Sequence, residues 1–403
     1  MNNGKWIMEN EGVASGDMIE IILKKIPQLS IIHYQLSIKK GECFMSAHEI
    51  VIAVMAVFAV LGAVDRILGN RFGLGAEFEE GIHAMGALAM AMVGIITLAP
   101  VLAGLLRPVV VPVYEFLGAD PAMFAGTILA SDMGGGALAQ ELTGDPRAAA
   151  LGGVITGSML GATLVFTIPV AMGILREEDK PAAAKGILCG IVTIPGGVLV
   201  GGLVAGFPIM MVLRNLVPIV IIGALIALGL WKAEKMMIKG FAIFGKLIVA
   251  VITAGLAAAI VEALTGFVII PGMAPIEEGF LTVGAIAIVL AGAFPLVRLV
   301  TRLLKKPLMK FGRLLRINDT AAAGLIASLA NSIATFGMVK DMDHRGKVVN
   351  VAFAVSAAFV FVDHLGFTAG FAPQMLPAMI LGKLAGGVSA VAVALLLTRK
   401  IDN

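Results

Sequence analysis

The stretch Pro121-Ala-Met-Phe-Ala-Gly-Thr-Ile-Leu-Ala-Ser-Asp-Met-Gly-Gly-Gly136 sets one carboxylate, Asp132, against three glycines inside an otherwise apolar run. In a membrane segment such a carboxylate costs roughly 3 kcal/mol and faces protein or a water-filled cavity. The glycines after it interrupt a helix and bare backbone groups, which membrane depth tolerates only where they line a cavity. Asp132 is therefore expected to mark a site and to hold a small cation. Ser131, Gly134 and Gly135 would supply hydroxyl and backbone partners. Glycines serve close helix packing equally well, and an Asp at this place also suits the cap of a broken helix.

The rest of the chain supplies the membrane. Of 403 residues, 59% are hydrophobic and only 14% charged, with a mean hydropathy of +0.98. That composition excludes a soluble domain and indicates an all-α polytopic membrane protein with lipid as its surroundings. A net charge of +3 is too small to suggest a nucleic-acid partner. Cys43 and Cys189 have no spacing for a disulfide framework or a metal site, so no cofactor or metal is expected. Residues 1–44 form a polar leader without a signal-peptide pattern, expected to be either a disordered tail or the product of a start placed too early, ahead of Met45. The small-residue faces leave homo-oligomerisation open.

Apolar segments long enough to span, about 20 residues each, lie at 50–68, 81–106, 151–175, 184–206, 209–231, 241–264, 280–304, 348–371 and 375–398. Two further stretches, 121–142 and 320–338, are apolar but rich in Gly, Ala and Ser, with a polar residue at the centre. A shift of 198 residues lays Glu79-Glu80-Gly81 on Glu277-Glu278-Gly279 and Gly94 on Gly292, with ten identities in 28 positions. The same shift pairs Gly126 with Gly324 and Ser158 with Ser356, and one added residue pairs Asp132 with Asn331.

Basic residues orient the halves. Clusters at 176–185, 232–239, 298–316 and 340–347 all fall on the cytoplasmic side if 320–338 enters and returns on one side. By the repeat, 121–142 is the matching hairpin. The expectation is nine spanning helices plus two re-entrant hairpins, in two inverted repeats (45–208 and 237–403) joined by a linker helix (209–236). Such halves build a substrate site where their discontinuous segments meet, so Asp132 and Asn331 are expected to approach each other. The competing arrangement is eleven straight helices with parallel halves.

Further candidates follow from residue type. Asn331 and Ser332 offer neutral hydrogen bonds suited to a hydroxyl. Asp363-His364, at membrane depth, suits an ion or proton pathway. Glu79 and His83 lie four apart on one helix face and are pathway candidates, although acidic residues at a helix start also answer the helix dipole. Phe124 could face an ammonium through its ring. Together these describe a transporter for a small, cationic or polar solute. An intramembrane enzyme recruiting Ser158, Asp363 and His364 is the weaker alternative, because no hydrolase motif surrounds Ser158.

The runs Phe78-Glu-Glu-Gly81, Met123-Phe-Ala-Gly126, Ser131-Asp-Met-Gly-Gly135, Leu329-Ala-Asn331, Arg345-Gly-Lys-Val348, Asp363-His-Leu-Gly-Phe367 and Gly382-Lys-Leu384 resemble the ethanolamine permease family of bacterial ethanolamine-utilization systems. The resemblance runs from about Ala47 to the C-terminus. Residues 1–44 have no counterpart in it, and the loop at Gly206-Phe-Pro208 is shorter than the family's. The resemblance implies uptake of ethanolamine across the cytoplasmic membrane of a bacterium. Asp132 would then hold the ammonium and Asn331 the hydroxyl.

Overall fold

The computed structural model describes residues 46–399, apart from the side chains at 234, 304–306, 308, 311 and 313, so the polar leader lies outside the described residues. In chain order the helices are α1 (Ala47–Ile67), α2 (Leu74–Phe116), α3 (Ala122–Ile128), α4 (Gly135–Leu142), α5 (Pro146–Ile174), α6 (Lys180–Val204) and α7 (Ile209–Ala233). They continue as α8 (Lys235–Thr265), α9 (Ile276–Leu314), α10 (Asp319–Ala330), α11 (Ser332–Met338), α12 (His344–Ala357), α13 (Asp363–Phe371) and α14 (Leu376–Thr398). Among the described residues eight of these, α1, α2, α5 to α9 and α14, are long and apolar enough to cross a membrane. The chain is a multi-pass helical membrane protein.

The ninth expected span differs. Residues 348–371 are not one helix but α12 and α13, separated by an irregular segment at 358–362. The run Ala358-Phe-Val-Phe-Val362 is aromatic and β-branched, which favours extended backbone over a helix. The basic stretch 298–316, expected as a loop, is for the most part the continued helix α9. Between α7 and α8 the chain kinks at Ala233 (φ −143°, ψ 46°).

Local chemistry sets the turns. Asp65 is buried and accepts from the N–H groups of Phe72, Leu74 and Gly75 at 2.8–3.0 Å, closing the turn into α2. Asp145 caps α5 through the Arg147 N–H, and 198 residues on Asp343 caps α12 through the Gly346 N–H. α5 departs from α winding. Over Ala150–Gly161 and Thr163–Thr167 it is a π-helix, in which the Ala162 N–H reaches the Gly157 carbonyl five residues back.

Both polar-centred stretches return to where they start. Thr143, after α4, donates to the Asp120 carboxylate before α3 at 2.8 Å. Asn318, before α10, donates its N–H to Asp343 at 2.8 Å and its amide to the Asp341 carbonyl at 2.9 Å. Lys347 on α12 pairs with Asp179, just before α6, so these two segments share one end of the molecule.

Helices related by the 198-residue shift pack on each other, α2 on α9 and α6 on α14. Their contacts are reciprocal. A Cβ on Gly81 would overlap the Ala291 backbone, and one on its repeat partner Gly279 would overlap Val93, the repeat partner of Ala291. Likewise Gly94 of α2 backs onto Ile252 of α8, and Gly292 of α9 backs onto Met55 of α1. Each half thus lends a helix face to the other, and α5, wholly enclosed along most of its length, fills the middle.

Candidate functional site

Three interruptions of helix converge. The first lies between α3 and α4, where Leu129 and Ala130 are extended, Ser131–Met133 make one 3-10 turn, and Gly134 turns left-handed at φ 93°. The second is Asn331, extended at φ −155°, ψ 124°, between α10 and α11. The third is the segment 358–362. It is strapped to the second by hydrogen bonds from the Phe359 N–H to the Ser328 carbonyl and from the Phe361 N–H to the Leu329 carbonyl, both 3.1 Å. It meets the first through His364, whose Nε2 lies 3.6 Å from Asp132 Oδ1.

Phe359 carries the bend in the third interruption. Its φ of +63° is left-handed, a conformation that costs a bulky residue of order 1–3 kcal/mol. The surroundings hold it there: the ring meets Phe166 edge-on at 5.4 Å and the His364 ring at 5.7 Å, and its carbonyl accepts the His364 N–H at 3.2 Å.

Asp132 lies beside the His364 imidazole. Besides His364 it lies within electrostatic range of Lys383, which is buried in the middle of α14 and donates to the Ser158 carbonyl on α5. A buried ammonium needs both a counter-charge and acceptors, and here Asp132 supplies the first and the π-wound helix the second. His364 Nδ1, Ser131 Oγ and Thr368 Oγ1 are buried without a hydrogen-bond partner. Such orphaned polar atoms are uncommon in native interiors and collect where a polar guest belongs.

A cavity of about 540 Å³ opens beside the second and third interruptions. Asn331, Val362 and Asp363 line one side of it, with Glu77 and Glu80 of α2 and Arg298 and Arg302 of α9 on another. Glu77 and Arg298 form an ion pair at 2.6 Å, and Arg302 donates to the Phe72 carbonyl at 2.9 Å. Among the described residues the Asp363 carboxylate has neither hydrogen bond nor ion pair.

The structure sorts the remaining candidates. Asn331 is exposed and accepts the Ile333 N–H through Oδ1 at 2.7 Å, while Ser332 beside it is fully buried. Gly134 and Gly135 are buried, and the Gly135 N–H is spent on the Ala130 carbonyl at 2.9 Å, so they serve the tight turn rather than offering bare backbone. Phe124 packs edge-on to Tyr114 at 6.1 Å. Glu79 leaves the cavity to its neighbours and pairs with Arg66 at 3.2 Å, and His83 is exposed. Asp132 and Asn331 do not face each other directly; the segment Phe359–His364 joins their surroundings.

Three neighbours of these sites escape a reading by residue type: Lys383, Glu77 and Glu80. Lys383 carried a signal, being one ammonium in the middle of a 23-residue apolar helix. Glu77 and Glu80 carried none, because only the crossing of α2 and α9 decides which of three nearby glutamates line the cavity.

The family described as "Ethanolamine utilisation protein, EutH" matches residues 47–397. A protein of Listeria monocytogenes named "Probable ethanolamine permease EutH" is 62% identical over 357 residues, covering 89% of this chain and 96% of the relative. One of the same name from Salmonella typhimurium is 50% identical, covering 89% and 97%. The Bacillus subtilis "Uncharacterized protein YxeR" is 52% identical, covering 88% and 96%. No solved structure matches the chain.

Proposed function

The chain belongs to the ethanolamine utilisation protein EutH family, and from that premise we propose that it is a permease, not an enzyme, which carries protonated ethanolamine into the bacterial cytoplasm across the inner membrane. The observation that carries this reading is the Asp132–His364 contact, a buried carboxylate and imidazole at the junction of three interrupted helices. Discontinuous helices meeting at depth are how secondary transporters build a site for a small polar solute. An ammonium passing this junction finds the Asp132 carboxylate, and the solute's hydroxyl finds Ser131 and Thr368.

Inverted repeats with re-entrant hairpins suit this function. The closed ends of 121–142 and 320–338, through Asp120–Thr143 and Asn318–Asp341, support two hairpins that enter and leave on one side. The pairing of Asp179 with Lys347 favours this over eleven straight helices, which would set those two residues on opposite faces of the membrane. The reciprocal glycine contacts support a two-fold relation between the halves.

The test is uptake of labelled ethanolamine into proteoliposomes at acidic pH, where the uncharged amine that leaks through lipid is scarce. Wild-type protein accumulates label and exchanges it in counterflow against ethanolamine but not against ethylene glycol. Asp132→Asn, inserted and stable, falls to the level of empty vesicles. Equal uptake by the variant removes Asp132 from the pathway, and no uptake by the wild type removes ethanolamine.

A further inference from the structure

We infer that the cavity beside Asn331 is a loading site for the solute cation, with Asp363 as its carboxylate, distinct from the deeper station at Asp132. The inference rests on the permease reading and divides its binding work between two acids.

The two carboxylates differ in what already surrounds them. Asp132 has His364 at 3.6 Å and Lys383 within electrostatic range, so its charge is answered from inside the protein. Asp363 is adjacent in the chain to His364, yet it lines the cavity, and among the described residues no hydrogen bond or ion pair engages its carboxylate. The cavity itself holds three carboxylates, Glu77, Glu80 and Asp363, against two guanidiniums, Arg298 and Arg302. Arg298 is committed to Glu77 and Arg302 to the Phe72 carbonyl. With all three carboxylates ionised the wall is one positive charge short, and a monocation supplies it.

The neutral groups fit the other end of such a solute. Asn331 Oδ1 is occupied by the Ile333 N–H, which leaves the amide Nδ2 as a donor to a hydroxyl oxygen. Val362, Val297 and Phe294 give the cavity an apolar side for methylene carbons. A carboxylate, an amide donor and an apolar wall together select a short amino alcohol over a diol, which lacks the charge. From here the bend at Phe359–His364 leads directly to Asp132, so the cation passes from an acid that lacks a partner to one that must release His364.

Titration of ethanolamine into purified full-length protein tests the division. Asp363→Asn is expected to weaken binding by at least about ten-fold. Asp132→Asn is expected to weaken binding less than Asp363→Asn does while failing to transport, and Asp363→Glu to recover part of the affinity. Unchanged binding in Asp363→Asn, or equal loss in Asp132→Asn, overturns the two-station assignment. If wild type binds no ethanolamine, the solute reading fails rather than the site, and labelling decides the latter. In an Asn331→Cys background, a cationic aminoethyl thiosulfonate should react several-fold faster than its neutral methyl analogue, and the added Asp363→Asn change should erase that preference. Equal rates without that change refute the cation site whatever the solute.

Discussion

Helix α5 and the pair α12–α13 start from the same instructions and end differently. Each opens on an Asp cap followed two residues later by an Arg, Asp145 with Arg147 and Asp343 with Arg345, at the 198-residue shift. The first stays continuous but winds as a π-helix around Gly152, Gly153, Gly157 and Gly161. The second breaks at 358–362. The pairing is close even at the point of divergence: Gly161 presses on the Leu129 carbonyl of the first hairpin, and its repeat partner Phe359 donates its N–H to the Ser328 carbonyl of the second. A glycine lets the backbones touch and the helix run on, whereas the phenylalanine at the same place stands in a left-handed turn that its neighbours, not its own preference, hold. The difference shows how two segments of similar sequence become chemically unlike. One copy lends a carbonyl, at Ser158, to a buried lysine; the other swings His364 against Asp132.

Removing the lysine that leans on the continuous copy should break this arrangement most severely. Lys383→Met leaves Asp132 short of a buried counter-charge, and loss of one such partner costs about 3–5 kcal/mol. Thermal or denaturant unfolding in detergent should register that loss, and Asp132→Asn added to it should restore most of the stability. Absence of rescue would show that Lys383 answers only the Ser158 carbonyl.

The glycine and the phenylalanine can be exchanged for smaller tests. Gly161→Ala drives a methyl into the Leu129 carbonyl and should destabilise by about 1–3 kcal/mol. Phe359→Gly relieves the left-handed strain but forfeits the ring contacts with Phe166 and His364, so its stability should fall by less than that of a buried Phe→Ala change, usually about 3–5 kcal/mol. A larger loss in Phe359→Gly than in Gly161→Ala would mean that the bend is held by its aromatic cluster more than by its backbone. Smallest of all is Glu79→Gln. With both partners of the Arg66–Glu79 pair largely exposed, its stability should change by less than about 1 kcal/mol, and uptake should match wild type. A clear loss of uptake would return Glu79 to the pathway in place of Glu77 and Glu80.

Much of this was legible from residue type and order. Continuous apolar runs announce the long helices, and polar residues centred in Gly- and Ala-rich stretches announce the interruptions at Asp132 and Asn331. The third interruption was hidden, because an Ala-Phe-Val-Phe-Val run is as apolar as any spanning helix and hydropathy does not distinguish winding. The expected pathway role of Glu79 and His83 rested on a four-residue spacing, which places side chains on one face without saying what that face meets.

By itself the sequence determined that the chain lives in a membrane, that similar residues recur at a 198-residue shift, and that its expensive polar residues lie at a few interior points. These follow from transfer energies and periodicity, which belong to each segment alone. Tertiary structure decided which of those residues meet: Asp132 with His364, Lys383 with the Ser158 carbonyl, Asn331 with Asp363 across a cavity, Glu77 with Arg298. Partner choice depends on where helices cross, and crossings are set by close backbone approach at positions such as Gly81 and Gly279, hundreds of residues apart in their consequences and silent in any local pattern.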